Sequence, residues 1–77
     1  MKIMLKDLQD VKTYCNGIEY FEGTIDIKQD RHNVDGRSFL GICSLDLNRP
    51  IDVTITTDDK GVEEDFYKYL KKWEAVN

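Results

Sequence analysis

Histidine and cysteine are scarce in this sequence, and their scarcity excludes most side-chain chemistry. The 77 residues include one histidine, His32, and two cysteines, Cys15 and Cys43. The cysteines form no CxxC pair, and nothing around His32 has the spacing of metal ligands. No Ser-His-Asp set, Walker loop, dinucleotide fingerprint or paired-carboxylate site is visible. We therefore expect a protein that is not an enzyme and that binds no metal or cofactor.

The sequence also lacks an excess of positive charge and any long apolar run. The chain has 11 basic and 15 acidic residues, a net charge of −4, whereas nucleic-acid binding needs a basic stripe. No apolar run approaches the roughly 18 residues of a membrane span, and residues 1–10 lack the apolar core of a signal peptide. These absences predict a cytoplasmic protein with reduced, buried cysteines and with neither nucleic-acid nor membrane partners.

Two periodicities run along the chain. Alternation of apolar and polar residues predicts strands at 1–6, 24–28, 32–35 and 51–57. Apolar residues at spacings of three and four predict helices between them and after the last strand. The order is therefore strand, helix, strand, strand, helix, strand, helix. We expect one α+β domain covering residues 1–77, with a four-stranded sheet and three helices on a single face.

Each predicted helix starts at a capping residue, namely Asp7, Ser38 and Asp58 or Asp59. The first helix has an apolar stripe and is expected to end near residues 21–23, because Gly23 suits the position after a helix. The second is apolar nearly all round up to Pro50, so it should be largely covered. The apolar residues of the first and third stripes are Leu8, Val11, Cys15 and Ile18, and Val62, Phe66, Tyr69, Leu70 and Trp73, extended by Val76.

The segment from residue 35 to residue 45 gives a specific resemblance. It reads Asp-Gly-Arg-Ser-Phe-Leu-Gly-Ile-Cys-Ser-Leu. It resembles the regulatory-serine segment of HPr, the histidine-containing phosphocarrier family, in low-GC Gram-positive bacteria. Those proteins read Lys-Ser, two apolar residues, Gly, two apolar residues, Ser, Leu, and Arg37 keeps the charge of the lysine. The resemblance extends without a gap back to the first helix and forward through Pro50 and the final strand and helix.

The resemblance implies an HPr-like open-faced β-sandwich whose antiparallel strands lie in the order 1-4-2-3. In that family a histidine at the start of the first helix carries a phosphoryl group, which an arginine and free helix amides cradle. The ungapped alignment places Asp7 at the histidine position, Gln9 at the arginine position and Asp10 at a proline position. The nucleophile and the cation are absent, and carboxylates would repel a phosphoryl donor. Only Lys6 separates the apolar part of the first strand, Ile3 to Leu5, from Asp7, so the loop before the family's histidine is also shortened.

Ser38 falls at the serine that a kinase phosphorylates in Gram-positive HPr, which then binds a transcriptional regulator of carbon use. A phosphate at a helix N-cap would gain amide donors and favourable dipole energy. Ser38 is therefore a candidate for regulatory phosphorylation, and a simple N-cap is the alternative role. The candidate partner-binding residues around Ser38 are Arg37, Phe39, Leu40 and Ile42.

The hypothesis that follows is a non-catalytic, HPr-like regulatory or protein-binding module without histidine phosphotransfer. Its expected partners are proteins of the sugar phosphotransferase system or of catabolite regulation. Two alternatives remain open. One is a working phosphocarrier that uses another residue, with His32 as the acceptor. The other is a structural or self-associating protein without phosphate chemistry.

Overall fold

The computed structural model describes residues 1–75 of the chain. Val76, predicted to extend the third apolar stripe, lies outside the described residues. The elements follow the predicted order, and a 3₁₀ turn at Lys71–Trp73 closes the last helix. Their bounds are β1 Lys2–Ile3, α1 Leu8–Ile18, β2 Thr24–Gln29, β3 His32–Asp35, α2 Phe39–Cys43, β4 Ile51–Thr56 and α3 Lys60–Leu70.

The four strands form one antiparallel sheet in the order β1-β4-β2-β3, which confirms the predicted α+β fold and strand order. The central pair is β2 with β4, where Ile25 lies opposite Ile55 and Ile27 opposite Val53. All four of these side chains point into the core. Between them on the other face lie the exposed or half-buried residues Thr24, Asp26, Lys28, Asp52, Thr54 and Thr56.

The helices cover the apolar face of the sheet, and Tyr14 and Phe66 are the largest fully buried side chains. The hydroxyl of Tyr14 donates a hydrogen bond of 2.9 Å to the Gly36 carbonyl, so the buried phenol is satisfied. Burial raises the pKa of Tyr14 well above its ordinary value. The predicted stripe of α1 did not include Tyr14 and wrongly included Leu8, whose exposed fraction is 57%.

Three predicted boundaries are wrong. β1 has two residues because the Met4 amide donates to the Trp73 carbonyl and no longer to β4. α1 ends at Ile18, before the predicted end at residues 21–23, and α2 ends at Cys43, before the predicted end at residues 48–50. The last turn of α2 tightens because the Ser44 amide and hydroxyl both donate to the Gly41 carbonyl. So short a helix does not cover its own apolar side chains.

Among residues 1–75 there is no helix with both the length and the apolar character that a membrane crossing requires.

Candidate functional site

The N-terminus of α1 is closed by two carboxylates of the chain itself. Asp7 is the N-cap, and its Oδ1 accepts a hydrogen bond of 2.9 Å from the Asp10 amide. The Asp10 side chain reaches back, and its Oδ2 accepts a bond of 3.0 Å from the Lys6 amide. This reciprocal pattern resembles a capping box, except that Asp10 accepts from the residue before the N-cap and not from the N-cap itself. The Asp10 amide in the first turn and the Lys6 amide just before the N-cap therefore already have carboxylate partners.

No cation compensates for these carboxylates in the described part of the chain. Neither a hydrogen bond nor an ion pair joins a lysine or arginine side chain to Asp7 or Asp10. Gln9, at the position of the family's arginine, is exposed in the first turn of α1. Its carbonyl accepts the Thr13 hydroxyl at 2.9 Å. The start of α1 therefore concentrates negative charge without a paired cation among the described residues.

His32 lies on the opposite edge of the sheet from the strand that leads into α1. It begins β3 and pairs with Gln29, whereas β1 forms the other edge. Two strands lie between these edges, and at a spacing of about 4.8 Å per strand they are roughly 14 Å apart. The imidazole is exposed and has no side-chain hydrogen bond to the described residues. The structure does not bring His32 together with Asp7.

Ser38 is the N-cap of α2, as predicted. Its Oγ accepts a hydrogen bond of 3.0 Å from the Gly41 amide, and its own amide donates to the Asp35 carbonyl. The side chain is half-buried. The position therefore has a capping role whether or not it is modified.

Arg37 contacts the C-terminus of α1. Its guanidinium donates to the carbonyls of Ile18 and Gly23, at 3.1 Å each, and to the carbonyl of Phe21. The Ile18 carbonyl is the last of α1 and also accepts the Phe21 amide at 3.1 Å, and the carbonyls of Phe21 and Gly23 follow the helix. The arginine therefore caps the C-terminal end of α1 from outside. This long-range cap was not visible in the sequence. The charge that matches the family's lysine is thus engaged within the fold.

The other three candidate contacts differ in exposure. Leu40 is 80% exposed, Phe39 is half-buried, and Ile42 is completely buried. The prediction that Ile42 contacts a partner is wrong, because its side chain packs into the core beneath α2. Leu40 instead presents an uncovered apolar side chain next to the half-buried Ser38.

Leu8 extends this apolar surface onto α1. It lies two helical turns before Cys15 and so on the same side of the helix. Burial raises the pKa of Cys15 most, and the Cys43 sulfur of α2 adds to this effect. This influence of Cys43, together with the contacts between the two helices, places this side of α1 beside α2. We call Leu8, Cys15, Phe39, Leu40 and Cys43 the α1–α2 face. The exposure of Leu8 and Leu40 could have been predicted from the sequence only if the short length of α2 had been known.

Two shallow surface depressions, of about 460 and 380 Å³, lie outside the α1–α2 face, the first beside Asp26 and Asp35 and the second beside Lys28 and Arg49. Within residues 1–75 no cluster of three or more histidine, cysteine or acidic side chains could hold a metal ion. The exposed apolar side chains of Leu8 and Leu40 make the α1–α2 face a candidate surface for a protein partner.

Comparisons of the chain with models of known protein families, with curated proteins and with solved structures find no match.

Proposed function

We propose that the chain is an HPr-like, non-catalytic regulatory or protein-binding module related to the sugar phosphotransferase system. The observation that carries the proposal is the occupation of the α1 amide end by Asp7 and Asp10. The segment from Arg37 to Leu45 supplies the resemblance, and the strand order β1-β4-β2-β3 agrees with the fold that the resemblance implies.

The absence of a carrier role follows from simple electrostatics and from the lack of a nucleophile. Transfer from a phosphoryl donor requires an acceptor such as an imidazole nitrogen and compensation for the incoming negative charge. At the start of α1 the chain offers carboxylates that already accept the local amides. An incoming phosphoryl group would meet two like charges within a few ångströms, and this repulsion opposes its approach.

A binding role uses the α1–α2 face. Leu8 and Leu40 are 57% and 80% exposed, and burying such side chains against a partner is favourable by roughly 1–2 kcal/mol each. Ser38 lies next to Leu40, so a phosphate on Ser38 would change the charge of this face. It would also compete with the present Ser38–Gly41 cap. We propose proteins of the phosphotransferase system or of catabolite regulation as the partners of this face.

Phosphotransfer assays test the proposal. The chain is incubated with phosphoenolpyruvate and the general phosphotransfer enzyme, and separately with ATP and the HPr kinase, beside a histidine-bearing HPr as positive control. We expect no acid-labile phosphate on the chain, and at most one acid-stable phosphate that Ser38→Ala abolishes. Acid-labile phosphate on the chain, at His32 or elsewhere, would contradict the non-catalytic role.

Binding is tested with purified phosphotransferase-system and catabolite-regulator proteins by calorimetry. Leu40→Asp should weaken the binding at least about tenfold, since a charge would replace a buried apolar contact. Thr54→Asp, on the exposed opposite side of the sheet, is the matched control and should leave affinity unchanged. Equal loss in both variants, or binding to neither class of protein, would reject the proposed partners.

A further inference from the structure

Cys15 and Cys43 are the two free thiols of the chain, and both are half-buried rather than buried as the sequence suggested. Cys15 follows the buried Tyr14 in α1, and Cys43 follows the buried Ile42 at the end of α2. Both pack against the hydrophobic core from its edge. Each sulfur therefore lies at the boundary between core and solvent, on helices that contact each other.

Two long-range hydrogen bonds fix the register of these helices. The guanidinium of Arg37, just before α2, donates to the Ile18 carbonyl at the end of α1. The Tyr14 hydroxyl donates to the Gly36 carbonyl. The start of α2 is thereby held against the second half of α1, where Cys15 is located.

The spacing of packed helices suits a covalent link between these positions. Helix axes in contact are about 8–10 Å apart, and Cα atoms lie about 2.3 Å from each axis. Cα atoms that face each other are then roughly 3.5–5.5 Å apart, and Cα atoms of α1 do lie within 8 Å of those of α2. A disulfide needs a Cα separation of about 4.4–6.8 Å. The packing of α1 against α2 is therefore close enough for a disulfide between positions that face each other.

The surroundings of Cys15 raise its pKa. Burial is the largest cause, and the Cys43 sulfur and the Glu19 carboxylate follow. The pKa values of Tyr14 and Tyr69 are also raised, first by burial and then by Cys15. A protonated thiol reacts slowly, so the reduced pair persists unless a disulfide oxidant is supplied.

We propose that Cys15 and Cys43 are a reversible dithiol–disulfide modification site that links α1 to α2 within one chain. In the reaction, one thiolate attacks a small-molecule disulfide such as oxidised glutathione and releases one glutathione thiol. The second cysteine thiolate then attacks the protein sulfur of this mixed disulfide and releases the second glutathione. The two cysteines lose two protons and two electrons, and the oxidant becomes two thiols. This inference does not rest on the proposed function.

The test equilibrates the folded chain at pH 8.5 in glutathione redox buffers, followed by acid quenching and intact-mass measurement. We expect a monomer about 2 Da lighter than the reduced chain, with Cys15 and Cys43 joined in the peptide map. Because the fold holds the thiols together, the equilibrium constant should exceed that of the urea-unfolded chain by at least about tenfold. The oxidised chain should melt at a higher temperature than the reduced one, since the bond constrains the unfolded state.

Cys15→Ser and Cys43→Ser provide matched controls, and each should stop at one mixed disulfide with glutathione. Two mixed disulfides on the native chain, disulfide-linked dimers, or no reaction would overturn the proposal. So would an equilibrium constant no greater than that of the unfolded chain. The experiment contains no partner protein, so its failure would leave the proposed function standing.

Discussion

Tyr69 of α3 fills the space that a β-carbon on Gly17 of α1 would occupy. The phenol oxygen passes over the glycine and donates a hydrogen bond of 2.8 Å to the Thr13 carbonyl. The ring packs against Trp73 and Phe21 on its other sides, with ring centroids 5.4 and 5.9 Å away. Gly17, in the last turn of α1, is therefore a contact point between the first and last helices.

Gly17→Ala tests this contact. In an unconstrained helix the change would stabilise the protein by about 0.5–1 kcal/mol. Here the new methyl group must displace Tyr69, so we expect the free energy of unfolding in urea to fall by roughly 1–3 kcal/mol. In a Tyr69→Ala background the same Gly17→Ala change should become neutral or stabilising. Equal effects in both backgrounds would show that Tyr69 does not require the glycine.

Substitutions of Arg37 test whether this side chain stabilises the fold or is free to bind a partner. Arg37→Ala removes the guanidinium bonds to the last carbonyl of α1 and to two carbonyls beyond it, and should lower the free energy of unfolding by roughly 1–2 kcal/mol. Arg37→Lys should recover less than half of the loss, because an ammonium group lacks the planar fork of donors. Arg31→Ala, in the exposed turn between β2 and β3, is the control and should change stability little. No loss on Arg37→Ala would leave the side chain free for a partner.

The exposed ion pair between Asp30 and Arg49 predicts that the stability of the fold depends on pH. Two hydrogen bonds of 2.7 and 2.8 Å from Arg49 hold the pKa of Asp30 below its ordinary value, with further smaller help from the Arg49 and His32 charges. A carboxyl whose pKa is lower in the folded state stabilises the fold above its unfolded pKa, near 4. That contribution is lost as the pH falls through the lower, folded pKa. It should shrink in high salt, because both groups are exposed.

Carbon-detected NMR titration of the Asp30 carboxyl measures this shift. Arg49→Gln should return the pKa of Asp30 toward its ordinary value, whereas Arg31→Gln in the adjacent turn should leave it low. An unchanged pKa in Arg49→Gln would mean that the ion pair does not form in solution.

Sequence periodicity predicted the elements that depend on local pattern. Alternation in Ile25, Ile27, Val53 and Ile55 identified the central strands because one face of the sheet is buried and the other is not. Asp7, Ser38 and Asp59 were identified as helix caps because a cap depends on residues two or three positions away.

Contacts between distant segments were not predictable in this way. The sequence gives no sign that Arg37 would reach carbonyls 14 to 19 residues earlier, which is where α1 ends. The length of α2, and with it the exposure of Leu8 and Leu40, depends on tertiary packing rather than on apolar spacing. Gly17 did carry a signal, because a glycine inside a helical pattern often marks a close approach of another segment.

The central claim is that the amide end of α1 is closed to phosphate by Asp7 and Asp10. A variant with Asp7→Gly and Asp10→Asn opens this end, since it removes both carboxylates that accept the Lys6 and Asp10 amides. In this variant the backbone amide resonances of Leu8, Gln9 and the substituted position 10 should shift when inorganic phosphate is added, because a free helix N-terminus attracts anions. This variant shows that the measurement can detect binding.

The decisive measurement is the same titration on the unaltered chain, following the ¹H–¹⁵N resonances of Lys6, Leu8, Gln9 and Asp10 as inorganic phosphate is added at constant ionic strength and pH 7. We predict no saturable shift at these four amides. A saturable shift there, at millimolar phosphate or below, would show that the helix end accepts phosphate despite its two aspartates and would contradict the non-carrier role.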